Sequence, residues 1–135
     1  MRGLVERIYG SSMENSLKMS TLSKTWIFDL DGTLVKHNGY KTDGYDSLLD
    51  GVKKYIDSIP EEDFIIITTS RTDEYRQMTL NFLKKEKIRY NDIIFNLPVG
   101  ERILINDKKP SGLDMAYAFN LDRDSFCIPE FTREK

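Results

Sequence analysis

Cysteine, histidine and tryptophan each occur once in the chain, and proline four times. A lone Cys127 excludes an intrachain disulfide, and with His37 as the single imidazole no Cys/His zinc set can be assembled. Cys127 stands in the apolar run Phe126–Ile128 and reads as a core residue. His37, between Lys36 and Asn38, reads as a surface loop residue, with contact to substrate as the alternative. No apolar run approaches the roughly 20 residues of a membrane span. The first 23 residues carry basic groups but no hydrophobic stretch followed by a cleavage site, so they make a poor signal peptide. Charge of one sign is also missing: 20 basic residues face 22 acidic ones, a net of -2, which gives no ground for a DNA or RNA surface. A Gly-rich turn ending in Gly-Lys-Ser/Thr is absent, which disfavours a P-loop kinase.

What is present is a pattern of alternating strands and helices. Trp26-Ile27-Phe28 enters a turn at Asp29, and Phe64–Ile67 is a continuous β-branched strand of the kind expected in a buried parallel sheet. Between them Leu48, Leu49, Val52, Tyr55, Ile56 and Ile59 recur at helical spacing, stopped by Pro60. A second helix is expected from about Asp73 to Lys85, burying Tyr75, Met78 and Phe82, with Leu83 as a further candidate. Further strands are expected at Ile93–Phe95, Ile103–Ile105 and Phe126–Ile128, with a short helix around Leu113–Phe119. The fold class implied is α/β, a three-layer sandwich around a mostly parallel sheet. The organisation implied is an amino-terminal extension over 1–23, flexible or partly helical with a weak stripe of Leu4, Ile8 and Met13, followed by one domain over 24–135.

Ligands of such sheets gather at the carboxyl ends of the strands. Three polar clusters fall there: Asp29/Asp31, Thr69-Ser70-Arg71 and Asn106-Asp107-Lys108. Asp29 and Asp31 place two carboxylates close together, with Gly32 permitting a sharp turn. Such a pair is costly unless a proton or cation lies between them, and a hard, oxygen-liganded Mg²⁺ would also neutralise an incoming phosphate. Arg71 would contact the substrate or anchor the loop, and its forked donors suit a phosphate group. The competing reading of the acids is a turn or helix-capping pair, and that of Ser70 is a turn residue.

Phe28-Asp29-Leu30-Asp31-Gly32-Thr33-Leu34 resembles the first signature of the haloacid dehalogenase-like (HAD) hydrolase superfamily. The resemblance covers most of 25–128 and implies a HAD-like Rossmannoid core. It further implies Asp29 as the nucleophile that becomes transiently phosphorylated, and Asp31 as the general acid and base. Thr69 would hold a phosphoryl oxygen, with Thr68 as its rival. Mg²⁺ would be held by the Asp29 carboxylate, the Asp31 backbone carbonyl and Asp107, with Asn106 and Ser111 as neighbouring polar groups. The family's stabilising lysine has no counterpart where Leu97 precedes Pro98, and Arg102 is the nearest replacement. Ser70, Arg71 and Lys108 fall on the substrate side.

The intervals between the motifs leave no room for an inserted cap, so a capless form is expected, its open site closed by a loop such as 35–44 or by a second copy in a homo-oligomer. Tyr40 and Tyr45 in or beside that loop read first as partly buried structural residues, with contact to an organic group as the alternative. The chain is also similar to short HAD-like proteins found with bacterial surface-polysaccharide biosynthesis genes, which implies a small phosphorylated substrate such as a sugar phosphate or phospho-alcohol. The activity implied is a Mg²⁺-dependent phosphomonoesterase, cytoplasmic and without membrane contact. The alternative is a catalytically silent phosphate- or metabolite-binding subunit.

Overall fold

A computed structural model describes residues 17–133. These divide into two compact units. The larger comprises 22–99 and 121–126; the smaller comprises 17–21, 100–120 and 127–133. The stripe at Leu4, Ile8 and Met13 lies outside the described residues.

The larger unit is built on three parallel strands, β2 (Thr25–Asp29), β3 (Phe64–Thr68) and β4 (Asp92–Ile94), adjacent in that order. Trp26 pairs with Ile65, Phe28 with Ile67 and Asp29 with Thr68, while Ile67 pairs with Ile93. Side chains alternate between faces of a sheet. Trp26, Phe28, Ile65, Ile67 and Ile93 therefore share one face, where Phe28, Ile65 and Ile67 are buried and Trp26 meets Tyr55 edge-on. On the other face Ile27, Phe64 and Ile94 are exposed, so the third layer expected from the sequence does not cover them. The strand order gives a reason: successive right-handed crossovers between neighbouring strands carry their helices to the same side.

Three helices belong to this unit: α1 (Gly39–Thr42), α2 (Val52–Ser58) and α3 (Arg76–Lys85). Helix α2 starts later than the apolar spacing predicts. Val35 bridges Leu48, and Leu49 donates its N–H to the Leu34 carbonyl, so these two leucines are drawn into extended pairing. Gly51, with φ 88°, then turns the chain into the helix. At the far end Ile59 is extended before Pro60, as proline requires of its predecessor. Helix α3 is preceded by a 3₁₀ turn, Asp73–Tyr75, and ends at Lys84 and Lys85, whose charge suits the negative end of the helix dipole. Leu83, as expected, and Thr79 are its buried residues; Tyr75, Met78 and Phe82, also expected there, are half-buried.

One acid serves the core directly. Asp63 is buried, and its carboxylate accepts the Lys24 backbone N–H and the Trp26 Nε1–H, both at 3.0 Å. This ties the start of β2 to the start of β3. Asp63→Ala strands both donors and is expected to cost about 1–3 kcal/mol. Thermal denaturation of the variant checks this, with Asp63→Asn expected to retain part of the loss because its amide oxygen still accepts.

In the smaller unit β1 (Leu17–Met19) pairs in parallel with β5 (Phe131–Arg133), Leu17 opposite Phe131. Part of the expected extension is thus a strand. The fourth expected strand is absent: Ile103, Leu104 and Ile105 find no paired neighbour and are 81%, 57% and 89% exposed. An apolar run becomes a strand only where an adjacent backbone satisfies its hydrogen bonds. No helix forms over Leu113–Phe119; Lys109 and Gly112 close a turn instead, with Gly112 at φ 94°. The last expected strand, Phe126–Ile128, is also not formed. Phe126 packs near Phe28 and Tyr55 in the larger unit, and Cys127, expected in the core, is exposed. Among the described residues no helix is long and apolar enough to cross a membrane.

Candidate active site

The loop leaving β2 is a compact turn wound on one carbonyl. Leu34 and Val35 donate to the oxygen of Leu30 at 2.9 and 3.1 Å, and Gly32 donates to that of Val35 at 2.8 Å. Leu30, Leu34 and Val35 are buried, which anchors the turn from beneath. Gly32 sits at φ 84°, a left-handed conformation in which a side chain would be strained. Asp29 and Asp31 flank the inward Leu30. The Asp29 carboxylate accepts the Thr33 hydroxyl at 3.1 Å.

Asp31 is held from the end of β3. The Thr69 hydroxyl donates to its Oδ2 at 2.9 Å, and Arg71 donates to its Oδ1 from Nε at 3.1 Å and from Nη2 at 2.9 Å. Arg71 also forks onto Asp46, Nη2 to Oδ1 at 2.7 Å and Nη1 to Oδ2 at 2.9 Å, and reaches Thr79 Oγ1 at 2.9 Å. A guanidinium has five N–H donors, and here all five are used. The face of Tyr40 lies 3.9 Å from the guanidinium carbon, and Tyr75 packs edge-on against Tyr40. The side chains of Arg71 and Asp46 are each 1% exposed, that of Asp31 19%. Burial opposes the charge on Arg71, but the bonds and charges of Asp46 and Asp31 outweigh it and hold its pKa above the ordinary arginine value.

The sequence reading places Thr69 at a phosphate and leaves Arg71 either at the substrate or anchoring its loop. In the structure the single Thr69 proton points at Asp31, and every Arg71 donor is used on Asp31, Asp46 and Thr79, which is the anchoring alternative. Both are positioning groups for that carboxylate. Ser70 donates to the Pro98 carbonyl at 3.2 Å, and Asn96 and Leu97 donate their N–H groups to the carbonyls of Arg71 and Thr69. The segment carrying Leu97 is therefore laced to the loop after β3. Beside it, Asp73 accepts Asn96 Nδ2 and the Arg76 guanidinium, which hold its pKa below the ordinary carboxylate value.

Arg102, Asp107 and Lys108 belong to the smaller unit. There Arg102 Nη1 donates to the Gly100 carbonyl, Lys108 lies 3.5 Å from Asp114, and Asn106 Nδ2 donates to the Asp107 carbonyl. Tyr45 is exposed, whereas Tyr40 is spent on Arg71. Among the described residues no group of three or more Cys, His, Asp or Glu side chains is arranged to hold a metal ion. Asp46 was missed by sequence reasoning. Its only signal was an acid placed just before an apolar pair, Leu48-Leu49, in an otherwise polar loop.

Compared with known proteins, the chain matches no family model, no curated sequence and no solved structure. The class defined by the fold is a small α/β unit with a parallel sheet of general Rossmannoid type.

Proposed function

We propose that the larger unit is the core of a Mg²⁺-dependent phosphomonoester hydrolase of HAD-like, capless type, acting through an aspartyl-phosphate at Asp29 on a small sugar phosphate or phospho-alcohol. The observation that carries this reading is the pairing of two differently supported acids at one strand end. Thr33 orients Asp29, while Thr69 and Arg71 orient Asp31. Two carboxylates held in separate, fixed positions at one strand end suit a division of roles between nucleophile and proton carrier.

In that scheme a carboxylate oxygen of Asp29 attacks phosphorus as the ester P–O bond breaks, and Asp31 gives its proton to the departing alkoxide. Asp31 then takes a proton from water, whose oxygen attacks phosphorus and cleaves the Asp29–phosphoryl bond. The Asp29 carboxylate and Asp31 backbone carbonyl are hard oxygen donors, and Mg²⁺ commonly keeps several waters beside one or two protein ligands, so these residues fit it. Bound there, the ion would neutralise phosphoryl charge. A homo-oligomer closing the site and a cytoplasmic setting belong to the same proposal. A phosphate-binding subunit without turnover is the second reading, favoured by Leu97 standing before Pro98 where a cation was wanted.

Release of inorganic phosphate from a panel of phosphomonoesters tests the function. Turnover is expected with Mg²⁺, to fall to background on chelation and to return when Mg²⁺ is restored. Activity untouched by chelation contradicts the metal dependence. Phosphate binding without release supports the second reading.

A further inference from the structure

Two carboxylates and an incoming phosphate dianion need a cation at hand, and Arg71 is already spent on five hydrogen bonds inside the protein. Lys36 is paired with Asp43, and Arg76 is paired with Asp73 while lying over Phe95. Arg123 differs. It lies in 121–126, the short piece of chain that returns to the larger unit. The Asp124 N–H donates to the Gly32 carbonyl at 2.8 Å, and Asp124 Oδ1 accepts the His37 N–H at 2.7 Å. Asp124 itself is held at φ 62°, uncommon for a residue with a side chain, and such a conformation persists only where surrounding contacts enforce it.

The result is that Arg123 lies against the turn that separates Asp31 from Thr33. A Cβ built on Gly32 would sit 3.2 Å from Arg123 Cγ and 3.8 Å from His37 Nδ1. Arg123 is exposed, and among the described residues it has no ion-pair partner. We infer that Arg123, with His37 beside it, is the anion-binding group of the site and takes the phosphate of the substrate. This deepens the phosphomonoesterase reading and rests on it for the identity of the ligand. With its stem against Gly32, the guanidinium can offer phosphate two parallel donors without disturbing the Arg71 network. Gly32 fits the same account, because a methyl group there would press on the stem of Arg123.

Calorimetric titration of the full chain with inorganic phosphate in Mg²⁺ tests the inference without depending on turnover. Wild type is expected to bind, Arg123→Ala to bind about 10–100-fold more weakly, and Arg123→Lys to recover part of the loss. The melting temperature of Arg123→Ala should match wild type, since the side chain is exposed and unpaired. Equal binding by wild type and Arg123→Ala overturns the inference, as does a wild type that binds no phosphate. Asp29→Asn separates the two levels. If it binds phosphate but no longer hydrolyses esters, the hydrolase reading stands whatever Arg123 does. If ester hydrolysis survives in Asp29→Asn, that reading falls, and an Arg123-dependent phosphate titration still supports the anion site.

Discussion

Arg71→Met is expected to be the most destabilising single substitution in the larger unit. The change removes the partner of Asp46, whose side chain is 1% exposed and whose two oxygens both accept from the guanidinium. A buried carboxylate stripped of its counter-charge costs about 3–5 kcal/mol, far more than the intact pair contributes relative to a hydrophobic replacement. For a unit of this size that is a fall of roughly 12–40 °C in melting temperature. Asp31 contributes less, because at 19% exposure it can recover part of its hydration. The same argument predicts a rescue. Arg71→Met combined with Asp46→Leu removes the stranded charge and should regain most of the loss, whereas Arg71→Lys, with three donors in place of five, should fall between. A melting temperature for Arg71→Met within a few degrees of wild type would mean that the buried network is not what holds the loops after β2 and β3 together.

The second large effect is on chemistry. Asp29→Asn keeps the shape of the side chain and an acceptor for Thr33, yet an amide cannot attack phosphorus as a carboxylate does. Loss of a nucleophile typically removes most of an enzyme's advantage, so kcat should drop at least about a thousandfold with little change in melting temperature. Steady-state kinetics beside thermal denaturation checks both halves. Loss of activity accompanied by unfolding would instead mark Asp29 as structural.

Much of the sheet could be read from residue types. Trp26–Phe28 and Phe64–Ile67 are runs of aromatic and β-branched side chains, and they form neighbouring strands as read; Asp92–Ile94 forms one residue early. Local spacing failed where a distant partner decided the outcome. Leu48 and Leu49 fit a helical stripe, but Val35 and Leu34 claim them for extended pairing. Ile103–Ile105 has the composition of a strand and lacks the neighbour that would make it one. In the site, Asp29, Asp31, Thr69 and Arg71 were legible as a group because each ends or follows a strand. Their division of labour was not. The role of Arg71 depends on Asp46, 25 positions away, and no local pattern reveals that all its donors are satisfied inside the protein. Arg123 was invisible for the same reason, since only the return of 121–126 to Gly32 brings it against the turn after Asp31.

The central claim is that Asp29 carries the phosphoryl group between ester and water. Rapid quenching during turnover of an activated phosphomonoester in Mg²⁺, followed by peptide mass analysis, reads that step directly. The account predicts one added phosphoryl group on the peptide containing Asp29, labile to hydroxylamine and absent from Asp29→Asn. Steady hydrolysis with no phosphorylated peptide, or with the group on another residue, would contradict it.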